Sequence, residues 1–162
     1  MFLKMRSGRA IASLRLIISL LARVDSVGAS FSPIGVKTSI DAQTGAAPAR
    51  RDILDLQNDV PTWSLYIEAL ISLQQVPKDG PLSWFQIAGI HVRPYYSWDS
   101  VSWNPAAPQM GHCTHDDVLF PIWYRPYLAL YNQVLASNAQ TIAATCTEAS
   151  YTDVAANFRI PY

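Results

Sequence analysis

Along the chain, stretches with apolar residues at three- and four-residue spacing alternate with stretches that lack any period. The strongest period lies in VPTWSLYIEALISLQQV, where Leu65, Ala69, Leu73 and Val76 fall in one stripe that Tyr66 and Leu70 widen. This spacing predicts an amphipathic helix with Thr62 as its N-cap. RRDILDLQ before it has helical composition, and PKDGPLS after it carries the proline and glycine of a turn. A further helix is expected from Ser83, with Trp84, Ala88 and His91 at four- and three-residue spacing, so that His91 shares the apolar face. Pro94 should stop it. Residues 95–114 hold more prolines and no period, and read as a long loop of the kind that often carries function. Another helix should begin near Pro121, a residue suited to a first turn. Tyr124, Leu128, Tyr131 and Leu135 form its stripe, which turns Tyr124 inward. SNAQTIAATCTEASYTDVAANF reads as a loop followed by one more short helix, and the chain closes on RIPY without a capping signal. No internal repeat is found, and the pattern as a whole predicts a mainly α fold.

The first residues differ from the rest. Lys4, Arg6, Arg9, Arg15 and Arg23 precede the first acid, Asp25. The apolar run LIISLLA is too short to cross a bilayer, so no transmembrane segment is expected. Residues 1–29 therefore form a basic leader with three open readings. It is a secretory signal cut after VGA, an arginine-rich mitochondrial-type presequence, or an unstructured leader. Localisation stays open with it, between secretion and the cytoplasm. Residues 30–49, rich in Ser, Gly, Pro, Ala and Thr, read as a linker or extended arm, and residues 50–162 as the globular part.

Composition narrows the function classes. Half of the 162 residues are hydrophobic and 15% are charged, which excludes a solvating, disordered chain. Twelve basic and twelve acidic residues cancel, so nothing favours nucleic acid as a partner. The five tryptophans and eight tyrosines suit a packed core or an aromatic-lined pocket. Cys113 and Cys146 allow one disulfide but neither a disulfide framework nor a four-cysteine zinc site.

Candidate chemistry concentrates in GHCTHDDVLFPIWYRPYLAL, which holds two of the three histidines and one of the two cysteines. His112 and His115 flank Cys113 and Thr114. A Cys-x-His pair is a weak metal signal alone, and imidazole suits copper as well as zinc. His91, on an apolar face, reads by itself as a core histidine with one hydrogen bond before it reads as a ligand. Asp116 and Asp117 are metal candidates too, although acids are favoured near a helix start in any case. No phosphate-binding glycine loop is present.

A resemblance raises the site above these readings. PLSWFQIAGIHVRPYYSWD and GHCTHDDVLFPIWYRPYLALYNQVL resemble the first copper-binding region of fungal tyrosinases, which reads approximately Phe-Gln-Ile-Ala-Gly-Ile-His, then Tyr-Cys-Thr-His, then Phe-Pro-Thr-Trp-His-Arg-Pro-Tyr. RRDILDLQNDVPTWSLYIEALISLQ is similar to the helices before that region, and FRIPY to the segment before the family's Trp-Asp-Trp motif. The likeness runs from about Arg50 to Tyr162.

The resemblance implies the first half of a type-3 copper four-helix bundle with long loops, truncated before the second half. It implies copper as cofactor: two ions in the intact family, and at most one, weakly bound, here. It implies a phenolic small-molecule substrate, hydroxylated and oxidised to o-quinones. His91 and His115 match the first two ligands of the first copper, and Cys113 matches the cysteine that joins the second ligand through a thioether. The third ligand position is Tyr124. His112 replaces the usual tyrosine and is a candidate substitute ligand. Three histidines cannot supply the six ligands of two coppers, so the expectation is a chain with no catalytic residues of its own: a fragment inactive alone, a non-catalytic interaction protein, or a pseudogene product. Self-association through unpartnered apolar helix faces is expected as well.

Overall fold

The computed structural model describes residues 31–91, 97–101 and 112–162. The basic leader, Pro94 and most of the expected loop at 95–114 lie outside the described residues. Five helices follow in order: α1 (Ile53–Gln57), α2 (Val60–Gln75), α3 (Trp84–His91), α4 (Phe120–Ala143) and α5 (Ala149–Asn157). No strand occurs among the described residues beyond an isolated antiparallel bridge between Trp98 and Val101. The fold is mainly helical, as the pattern predicts.

α2 and α4 make the principal helix pair, and α5 packs against both. The α2 stripe is the predicted one: Leu65, Ala69 and Leu73 are buried, while Val76 is half-exposed beyond the last turn. Its N-cap is Asp59, not Thr62. Asp59 is extended, and its carboxylate accepts from the Thr62 amide at 3.4 Å, so Thr62 already lies inside the first turn behind Pro61. The same carboxylate pairs with Arg51 at 2.6 Å, and that hydrogen bond above all holds its pKa below the usual carboxylate range. The side chains are about half-exposed, so the pair adds little to stability.

α3 begins behind Ser83 as expected. The buried Ser83 hydroxyl accepts from the Gln86 amide at 3.1 Å, and its carbonyl takes the Ile87 amide. The expected stripe of Trp84, Ala88 and His91 is displaced, however. Ile87 and Ile90 enter the core, Trp84 stays exposed, and His91 is half-buried at the edge.

α4 also departs from expectation. Residues 137–143, read as loop, continue the helix, because Ala136, Ala139 and Ala143 bury their small side chains against the core. Leu128, expected on the inner stripe, is exposed; Leu130, Val134 and Leu135 carry the buried face. Pro126 sits inside α4 and withholds one backbone donor, yet the helix runs on.

Residues 31–50 form no helix and lie along the helical unit. Phe31 and Val36 pack against the core. The amides of Ile34 and Gly35 both donate to the Gln133 side chain at 3.0 Å, with Gly35 in the left-handed conformation its lack of a side chain permits. Arg159, buried, donates to the Thr38 carbonyl at 2.8 Å and to the Phe158 carbonyl at 2.7 Å. A backbone clamp closes the unit: Ile53 N–H meets Tyr162 O at 2.9 Å, and Tyr162 N–H meets Arg51 O at 3.0 Å.

Candidate metal centre

Three elements converge at one end of the α2–α4 pair. His91 is the last residue of α3, Cys113 and His115 lie in the segment before α4, and Tyr124 stands in the first turns of α4. One donor atom each from His91, Cys113 and His115 lie within 4.8 Å of one another, forming the metal-ligand cluster found among the described residues. The two imidazoles meet edge to face at 5.5 Å between centroids. Cys113 is buried, His91 half-buried and His115 exposed, so the cluster opens to solvent on the His115 side.

The local contacts fix these side chains. The Cys113 thiol donates to the His91 carbonyl at 3.1 Å, which ties the loop to the end of α3. Its sulfur lies 3.8 Å from His115 Nδ1. The other nitrogen of that ring, Nε2, lies 3.1 Å from the Tyr124 hydroxyl. Tyr124 therefore faces the cluster, in keeping with an inward position. Tyr127, one helical turn further, stacks on His91 at 5.9 Å, and Trp123 stacks on Tyr127 at 5.6 Å.

Burial, and after it the neighbouring His115, lowers the His91 pKa, so its ring is neutral and available as a donor at neutral pH. Burial raises the Cys113 thiol. It also raises Tyr124, with the neighbouring Cys113 as the smaller cause, so the phenol keeps its proton.

Asp116 and Asp117 stay outside the cluster. Asp117 accepts from the Leu119 amide at 2.8 Å and its carbonyl takes the Phe120 amide, a role in starting α4. Asp116 adopts a left-handed conformation immediately after His115. His112 is not a member of the three-residue cluster either. It lines a neighbouring apolar cavity of about 240 Å³ together with Ile90, Trp98, Trp123, Tyr127 and Leu130. Sequence reasoning did not find Tyr127 or this cavity; the four-residue spacing of Trp123 and Tyr127 was the available signal.

Cys113 and Cys146 are both reduced thiols. The disulfide that the cysteine count allows is excluded by α4. That helix is 24 residues long, or about 36 Å at the α-helical rise; Cys113 stands beside its first turns and Cys146 follows its last. A disulfide needs Cα atoms within about 7 Å.

The donor set can be tested against the copper that the resemblance implies. A first copper in that family takes three imidazoles. The cluster offers two imidazoles and a thiol, and the group beside them is a protonated phenol. The residues present do not fit a three-histidine site.

Comparisons with known proteins agree on the family. Residues 81–162 match the family model for the common central domain of tyrosinase. The chain is 38% identical over 127 residues to a tyrosinase of Podospora anserina, covering 73% of this chain and 22% of that protein. It is 36% identical over 149 residues to a tyrosinase of Neurospora crassa, covering 85% and 22%. Among solved structures, recombinant mushroom tyrosinase superposes with a TM-score of 0.69 at 32% identity, covering 82% of this chain and 23% of that one. The chain thus spans about a fifth of the length of these curated relatives. With the helical unit, the His-Cys-His cluster and a family match over half of its residues, this chain belongs to the tyrosinase central-domain family.

Proposed function

We propose that this chain corresponds to the first copper-binding half of a tyrosinase-type domain, and that by itself it does not oxidise phenols. In a complete domain of this family the chemistry would be oxygen-dependent hydroxylation of monophenols and oxidation of catechols to o-quinones, with copper activating dioxygen. One observation carries the second part of the reading: the cluster holds two imidazoles, with the Tyr124 hydroxyl hydrogen-bonded to His115 beside them. No set of three imidazoles assembles there, and three histidines in all cannot hold two ions by three ligands each. What the chain's own residues do is present donors, with Tyr127 stacked on His91 and Trp123 stacked on Tyr127.

The test is direct. The chain, supplied with copper and catechol in air, is expected to form quinone no faster than the same copper without protein. Quinone formation above that blank, lost in His91→Ala, would overturn the reading.

A second reading is a non-catalytic interaction role, including self-association. It is favoured by the exposed apolar run at the start of α4, where Val118 is 87% and Ile122 65% accessible. Such a run beside an open cluster is a surface suited to contact with another apolar face.

A further inference from the structure

The donor set that fails as a three-histidine copper site has a composition of its own. His91, Cys113 and His115 offer two imidazoles and one thiol, all donor atoms within 4.8 Å. Two nitrogens and one sulfur suit borderline-soft divalent ions in tetrahedral geometry, with zinc as the type. With metal–nitrogen distances near 2.0–2.1 Å and metal–sulfur near 2.3 Å, ligand atoms around such an ion stand about 3.3–3.6 Å apart. The Cys113 sulfur and His115 Nδ1, at 3.8 Å, are within a few tenths of an ångström of that separation. The other donor pairs also lie within 4.8 Å, and the His115 ring, open to solvent on one side, is held on the other by the Tyr124 hydroxyl and the edge of His91.

Tyr124 then acquires a specific part. Its hydroxyl lies 3.1 Å from His115 Nε2, on the far side of the ring from the Cys113 sulfur. If Nε2–H donates to this hydroxyl, the lone pair rests on Nδ1, which faces the sulfur. Outer hydrogen bonds of this kind fix the tautomer and angle of ligating histidines. Tyr124 is thus a positioning residue rather than a missing ligand.

We propose that this chain binds one zinc-class divalent ion through the Cys113 thiolate, a ring nitrogen of His91 and Nδ1 of His115, with Tyr124 orienting His115 and the fourth position left to water. On binding, the Cys113 thiol gives its proton to solvent and its sulfur forms the bond to the ion. No oxidation or reduction is involved. The proposal stands apart from the oxidase reading, since it concerns a redox-inert ion and a spectroscopic readout.

The test is titration of the full chain with cobalt(II), under reductant and without oxygen. One equivalent is expected to give the intense visible bands of tetrahedral cobalt together with a thiolate-to-cobalt charge-transfer band, both lost on adding one equivalent of zinc. Cys113→Ser should abolish the charge-transfer band, whereas Cys146→Ser, at the opposite end of α4, should leave the spectrum unchanged. Tyr124→Phe should keep the band and weaken binding about tenfold or more. Circular dichroism of each variant establishes that the helices persist. Weak octahedral-type absorption in the unmodified chain would overturn the site, as would a charge-transfer band that survives Cys113→Ser. Unchanged affinity in Tyr124→Phe would overturn the orienting role.

Discussion

Tyr124 is the residue on which the chemistry of this chain turns. Burial and the nearby Cys113 keep its phenol protonated, so binding a metal through oxygen would require removing a proton whose ordinary pKa is already about 10. An imidazole at the same position would be largely neutral and ready to coordinate. Tyr124 faces His91 at 5.4 Å between ring centroids and contacts His115 through its hydroxyl. Tyr124→His is therefore expected to tighten copper(II) binding by at least about tenfold, with thermal stability changed by less than about 1 kcal/mol, the usual range for a partly exposed site. Competition against a coloured chelator measures the first, and thermal melting the second. Equal affinity in the two proteins would show that a third imidazole at this place adds nothing. That His91 and His115 meet was not legible in their spacing, since more than twenty positions separate them; the resemblance alone linked them. The tyrosine in place of histidine was legible for the same reason, but its hydrogen bond to Nε2 was not.

Elements were legible where apolar and polar residues contrast. Leu65, Ala69 and Leu73 stand out against Glu68, Gln74 and Gln75, and the α2 face follows from them. In α3, WFQIAGIH is apolar almost all round, so the period could not choose between Trp84 and Ile87, and contact with the core decided for Ile87 and Ile90. The end of α4 failed for the opposite reason. Ser137, Asn138, Gln140 and Thr141 make the stretch look polar, while its buried face consists of alanines that carry little hydrophobic signal. α2 and α5 both pack against α4, and Leu135, fully buried, belongs to the core cluster they share with these alanines. Leu135→Ala should cost about 2–5 kcal/mol, the range for emptying a packed leucine site. Exposed Leu128→Ala should cost well under 1 kcal/mol. Denaturant unfolding of the two variants gives the comparison, and similar losses would mean that Leu128 is covered in solution.

For the molecule as a whole, the distinctive feature is how distant segments are tied together. The helices α2, α4 and α5 pack by their faces, while the arm and the closing residues add to the apolar contacts of Phe31, Val36, Phe158 and Ile160 a set of side-chain-to-backbone bonds: Gln133 to the amides of Ile34 and Gly35, Asn132 to the Ile160 amide, and Arg159 to Thr38. None of this was legible in the sequence, because Asn132, Gln133 and Arg159 are ordinary surface residues by type. Their partners are backbone groups that no side-chain pattern announces.

The pairing of Arg51 and Ile53 with Tyr162 has a kinetic meaning. It joins residues more than a hundred positions apart, and closing a loop of that length costs on the order of 4 kcal/mol in chain entropy. Helical contacts along α2 and α4 face a smaller closure cost, so the pairing should form late in folding and open early under native conditions. Amide exchange is expected to reach Ile53 and Tyr162 through local opening, well before Leu73 and Leu135, whose protection should track global unfolding. Equal protection at all four amides would instead mean that the distant pairing is part of the same cooperative unit as the helices, and that the chain closes in one step.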